Sequence, residues 1–232
     1  MIKKINLREL LIYIIGMVVL GIGLSLSTKL SLGTSALMAL PFSISKIYNI
    51  SIGNVILIYY IVFIIIQIVL HIIMKKYTDI IGDILQLLVS FVLTRFLNIL
   101  DKLIPTFTDL NNVLGTIYFR LFFFLIAMTC IGVGIAMVVK TIYPPNPTNG
   151  FIRTTAEFSK KDVGLIKNVL DISLVCITII FSYLASKKVI GIGIGTILAM
   201  LGVGRIVFYF NRLYGTKIEK YIKRSNKWKK IL

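Results

Sequence analysis

Charge is scarce in this 232-residue chain: Asp, Glu, Lys and Arg together make up 15% of it, with nine acids, one histidine and two cysteines. Each shortage excludes something. One His and two Cys cannot furnish the clustered ligands of a zinc or iron centre, and no acid lies paired with a base at catalytic spacing. No enzyme and no cofactor are therefore expected. Cys130 and Cys176 both fall in apolar stretches and read as small buried residues, not as a disulfide. The alternating short strands of a membrane β-barrel are missing as well.

Apolar sequence is what the chain has in plenty. Hydrophobic residues account for 57%, and mean hydropathy is +0.93, far outside the range of a soluble domain. Runs of about 20 apolar residues, the length that crosses a bilayer, recur at approximately 10–28, 53–74, 80–99, 117–139, 164–185 and 189–210. The opening segment imitates a secretory signal, with basic residues and then an apolar run, but it is long enough to span and is read as a retained helix.

The net charge of +17 suits lipid headgroups better than nucleic acid, because the basic residues lie between and after the apolar runs. With the N-terminus cytoplasmic, Lys3, Lys4, Arg8, Lys75, Lys76, Lys140, Arg153, Lys160, Lys161, Lys167 and the C-terminal cluster gather inside, while far fewer, among them Lys29, Lys46, Lys102, Lys187 and Lys188, remain outside. That bias predicts a multi-pass protein of the plasma membrane with both termini cytoplasmic. In the tail from residue 213 to 232, Ile218, Tyr221, Ile222, Ser225, Trp228 and Leu232 recur at helical spacing among basic residues. The pattern predicts an amphipathic helix lying on anionic lipid.

The two halves of the chain correspond. A constant shift of 111 positions carries Gly21 and Gly23 onto Gly132 and Gly134, Lys29 onto Lys140, and Gly53 onto Gly164; two further residues of shift align "GDILQLL" with "GTILAML" and Asn98 with Asn211. Each half, 1–112 and 113–212, holds three spans. An odd number forces the second copy to enter the membrane from the opposite side, so the expected fold is all-α: six transmembrane helices arranged as two inverted three-helix repeats. The same shift lays "PPNPTNGFIRTT" on "GTSALMALPFSI". These two segments, after the first and fourth spans, are expected to be irregular or re-entrant, since Pro, Gly and Asn free backbone groups that cannot face lipid.

These segments, with "GIGLSLSTKLSLGTSALMAL", "IGVGIAMVVKTIYPPNPTNGF", "VGLIKNVLDISLV" and "GIGIGTILAMLGVG", resemble bacterial integral membrane proteins of the YczE/YitT type over about residues 10–210. That family's pattern at the two segments looks like Leu-Gly, a gap, then Pro, any residue and Asp. Here Pro147 keeps the proline but Asn149 stands in place of the acid, and Ala36 and Met38 replace both in the first copy. A mechanism requiring a carboxylate at those loops is thus not implied.

The expected role is a small permease or substrate-binding membrane subunit for a polar solute; the alternative is a non-transporting accessory protein acting on a partner membrane complex or as a homo-oligomer. Candidate solute-binding residues are Asn146, Asn149, Arg153 and Thr154 in the polar segment, with Asn149 and Arg153 one helical turn apart at a cytoplasmic mouth. Asp171 and Arg205, at similar depth, are expected to pair between adjacent helices, because an isolated ion there is costly. His71 is read as an inter-helix hydrogen bond, and the glycines from Gly191 to Gly204 as a close-packing helix face.

Overall fold

The computed structural model describes residues 6–109 and 115–228, with side chains up to Ile222 in the last helix. Among the described residues there are eight α-helices and no strand: α1 (Leu7–Lys29), α2 (Ala36–Tyr48), α3 (Ile52–Ile73), α4 (Tyr77–Leu103), α5 (Ile117–Val139), α6 (Pro147–Ser159), α7 (Val163–Ser186) and α8 (Ile194–Trp228). Six of them, α1, α3, α4, α5, α7 and α8, are long and apolar enough to cross a membrane, as in a multi-pass membrane protein.

The helices are hydrophobic on the outside and partly polar within, the reverse of a soluble bundle. In α3 the exposed side carries Ile58, Ile65 and Val69, whereas Ile56, Tyr60, Phe63, Gln67 and His71 are buried. In α4 the buried stripe is Asp83, Gln86, Ser90, Thr94 and Leu97, and in α7 it is Asp171, Leu174, Thr178 and Ser182. Each stripe advances by three or four residues, so one face of each helix turns inward.

α1 and α5 form the central pair. They are antiparallel. Arg120, at the start of α5, donates to the carbonyls of Leu30 and Ser31 just past the end of α1 (2.7 and 2.9 Å), and Glu9, at the start of α1, accepts from the Ile142 amide past the end of α5 (2.8 Å). Gly23 and Gly134 lie at their crossing, where backbone meets backbone. Around this pair α4 packs on α1 and α8 on α5, while α2 packs on α7 and α6 on α3. One face of the bundle carries both described ends of the chain: the Asn6 side chain donates to the Ile222 carbonyl (3.1 Å), Arg8 lies over the Tyr221 ring and Lys140 pairs with Glu219. We call it the near face; Leu30, Asn49 and Lys187 mark the far face.

Three expectations need correction. The segments after the first and fourth spans are not irregular: each contains a thirteen-residue helix, and the shift of 111 carries α2 onto α6 end to end. Their caps coincide too. Ser35 and Asn146 precede them, and Asn49 and Lys160 close them in the left-handed conformation. Asn146 accepts from the Thr148 amide, and Pro147, lacking an N–H, suits the first helical turn. The sixth span begins at Ile194 and not near 189, because Gly191 takes a positive φ of 86° and Gly193 lies against the Leu32 carbonyl, closer than any side chain allows. The basic tail follows as part of α8, helical to Trp228; Leu232 and the side chains of Ser225 and Trp228 lie outside the described residues. The cysteines are not the buried residues expected: Cys176 is exposed on α7 and Cys130 only half-buried, both free.

Candidate functional site

Three of the cavities among the described residues carry polar side chains from several helices. The largest, about 790 Å³, opens at the near face between the end of α3, the start of α4, the α5–α6 connection and α6. Its floor is a buried polar network. His71 Nδ1 stands 2.6 Å from Asp83 Oδ2, and His71 Nε2 is 3.3 Å from the Thr154 hydroxyl on α6. Gln86 donates to Asp83 Oδ1 (3.4 Å) and exchanges hydrogen bonds with Gln67 (3.1 and 3.3 Å), which in turn donates to the Pro147 carbonyl at the start of α6 (3.1 Å). Gly150 lets α6 press onto this amide pair: a Cβ there would come within 2.5 Å of Gln67 Oε1.

Stability does not explain these residues. Inter-helix hydrogen bonds within membranes average about 0.6 kcal/mol, and ionisable or amide side chains within spans are costly wherever they sit. Polar residues held inside spans, paired with one another and facing a cavity, mark a pathway or a site. At the rim, Lys76 bonds Glu157, a contact that raises the lysine above its ordinary range. Burial and the Glu9 carboxylate likewise push the Tyr143 phenol up.

The second cavity is small, about 60 Å³, and central. Ser35 and Asn146, the residues that begin α2 and α6, both line it, so two helix N-termini converge there. Tyr60 from α3 accepts a hydrogen bond from Asn146 Nδ2 (3.1 Å). Asp171 from α7 is paired with Lys167, one turn earlier on the same helix, while its Oδ1 is buried without a partner. The third cavity, about 390 Å³, opens at the far face between the α1–α2 connection, α2 and the residues before α8. The shift of 111 relates the outer two: Ser31, Thr34, Phe42 and Lys46 line the far cavity, and Ile142, Pro145, Arg153 and Glu157 line the near one.

The residues singled out in the sequence are thus dispersed. Thr154 is buried against His71; Arg153 is exposed in the near cavity, whereas Asn149 lines the central one with Asn146, so Asn149 and Arg153 do not share a mouth. The expected pair of Asp171 with Arg205 does not form. Lys167 occupies the carboxylate, α7 packs on α2 and α6, and Arg205 is exposed. His71 does make its inter-helix hydrogen bonds. Sequence reading missed Gln67, Asp83 and Gln86, whose signal was polar residues one turn apart in apolar spans: Gln67 with His71, Asp83 with Gln86.

The chain belongs to a family of unknown function (DUF6198), which matches residues 7–212, that is, the first five spans, both short helices and the first half of α8. Comparison with curated proteins and with solved structures gave no match.

Proposed function

We propose that this protein is a small membrane permease, or a solute-binding membrane subunit, for a small polar solute. In this reading it is built as two inverted three-helix repeats of the YczE/YitT type, with α2 and α6 as re-entrant helices entering from opposite faces. One observation carries the reading: cavities open on the two faces, lined by positions that the internal shift relates, and between them lies a small, mostly apolar cavity in which a few polar side chains converge at the N-termini of both short helices. Repeat-built transporters hold their sites at such a midplane junction, with half-helix N-termini turned to the solute. The Lys/Arg bias makes the near face cytoplasmic, in the plasma membrane of a bacterium.

The near cavity is about twice the far one, and the central cavity, about 60 Å³, has room for little more than a water molecule or two. On this reading the arrangement is open to the inside. Asn146, Asn149 and Tyr60 meet the solute at the centre; Arg153 and Thr154 meet it on the way. The test is a thermal-shift screen of the purified protein against a broad panel of polar metabolites, repeated with Asn149→Ala and Arg153→Ala. A solute that stabilises the native protein and loses affinity in both variants supports the reading. No stabilising solute, with a stable protein partner in pull-down, replaces it with an accessory role.

A further inference from the structure

The buried pair His71–Asp83 is more than the transport reading uses. Both side chains are almost wholly buried, yet both line the near cavity, and their hydrogen bonds reach α6 at two points. One route runs from His71 Nε2 to Thr154; the other runs from Asp83 through Gln86 and Gln67 to the Pro147 carbonyl. Pro147 follows Asn146, which holds Tyr60 in the central cavity. The pair therefore grips the helix that separates the near cavity from the centre.

We propose that His71 and Asp83 form a proton-binding site, loaded from the near cavity, whose occupancy sets the grip on α6. With Asp83 ionised and His71 neutral, Nδ1–H donates to the carboxylate and Nε2 accepts from the Thr154 hydroxyl. One added proton places a hydrogen on Nε2. That nitrogen must then donate, the Thr154 oxygen must accept, and the hydroxyl hydrogen turns to a carbonyl of its own helix, as helical threonines do. The bond between α3 and α6 reverses direction, and the pair passes from net negative to net neutral. A charge buried in a span is costly, so the loaded pair tolerates closure of the cavity over it and the unloaded pair does not. The solute cycle thereby acquires a coupling ion.

The surrounding charges do not supply this switch. α4 adds Asp79; α6 adds Arg153 and Glu157; the adjoining connections add Lys161 and the Tyr143 phenol, with Lys76 at the rim; α1 adds Glu9, which accepts from the Ile142 amide, and the Tyr13 phenol, which donates to the Pro144 carbonyl. Lys76 and Glu157 satisfy one another, and the exposed remainder is nearly balanced in sign.

His71 is the only histidine in the chain, which makes the test direct. Full-length protein carrying ring-nitrogen-labelled histidine in phospholipid nanodiscs is titrated by NMR from about pH 5 to about pH 9, the range in which imidazoles change charge. The expected result is one transition in which Nε2 passes from acceptor to protonated donor as pH falls. In parallel, Asn149→Cys in a Cys130→Ser, Cys176→Ser background is labelled with a maleimide at the two extremes, each rate referred to that of an exposed reference cysteine at Lys161. That ratio should differ severalfold between them. Thr154→Val should keep the NMR transition and diminish the labelling difference, since the route through Gln86 and Gln67 remains. A constant Nε2 signal across the range overturns the proton site; a labelling ratio that is flat, or that ignores Thr154→Val, overturns the link to α6. The proposal rests on the transport reading only for the use made of the proton. None of these measurements needs a solute, so an empty metabolite screen leaves them standing.

Discussion

Alanine at Gly134 tests whether the central pair, α1 and α5, crosses at backbone contact. A Cβ on Gly134 would lie 2.6 Å from the Leu20 amide nitrogen, 2.7 Å from the Gly16 carbonyl oxygen and 2.8 Å from Leu20 Cα. All three are main-chain atoms of α1, so no rotamer change relieves the clash. Ordinary contact begins near 3.4 Å, and α1 must retreat by most of an ångström. Overpacking of this kind costs about 1–3 kcal/mol. Helix propensity acts in the opposite sense, since alanine is preferred to glycine by about 1 kcal/mol in a helix interior. Gly204, in α8, has nothing within 4 Å of its would-be Cβ, and Gly204→Ala carries the propensity gain alone. The difference between the two variants therefore isolates the steric part, about 1–3 kcal/mol, or roughly 2–12 °C of melting temperature for a chain of this size. Thermal unfolding of wild type and both variants in one detergent measures it. Equal melting of Gly134→Ala and Gly204→Ala would refute the close crossing.

Three further outcomes are expected. Asp171→Asn and Lys167→Met should each destabilise the protein, and the double variant should lose less than their sum, because each single change strands one member of the pair, the buried carboxylate or its half-buried lysine; Arg205→Gln should melt like wild type, and a loss equal to that of Asp171→Asn would restore the rejected pair. Cysteines introduced at Lys102 and Lys160, in a background without Cys130 and Cys176, should react with an impermeant maleimide from opposite sides of the membrane, and labelling of both from one side would overturn the topology. Lys76→Ala should lower the melting temperature slightly at neutral pH; since the lysine is raised, that difference is full below its ordinary range and fades as pH climbs through the raised value, so a difference that grows with pH would show that the Glu157 contact is not its source.

The spans were legible because twenty apolar residues have few alternatives to a membrane helix. α2 and α6 were not. Pro41 interrupts the first, and "PTNGFIRTTAEFS" is rich in residues that favour loops. Asn146 followed by Pro147 is nonetheless a helix start, an N-cap and a proline in the first turn, and could have been read as one. The polar network was hidden for another reason. Gln67 and Gln86 are nineteen residues apart and become neighbours only when α3 folds back on α4. Arg205 failed more instructively. Rise per residue gave its depth, but depth says nothing about the direction in which a side chain leaves the helix, and the nearer partner for Asp171 lay four residues away on α7.

Under the shift, α1–α3 and α5–α7 agree in their boundaries to within two residues, but the two halves diverge at the centre. The shift of 111 sets Tyr60 against Asp171 and Asn146 against Ser35. On the α3–α6 side the groups satisfy one another: Asn146 accepts from the Thr148 amide and donates to the Tyr60 hydroxyl. The α2–α7 side is incomplete. Ser35 makes no capping bond through its side chain, and Asp171, with one oxygen on Lys167, keeps the other buried and unpartnered. Leaving a buried acceptor unsatisfied costs about 1–3 kcal/mol, more when it is charged. A solute presenting an N–H or O–H group to the central cavity recovers that cost on Asp171 and displaces no existing bond there, whereas Asn146 meets it only by exchanging its bond to Tyr60. On the transport reading, then, the unpartnered Asp171 oxygen adds binding free energy to the contacts of Asn146, Asn149 and Tyr60, and the solute should belong to a class with hydrogen-bond donors. Inorganic anions without a donor should fail to stabilise the protein in the same screen in which amides, polyols or amines succeed.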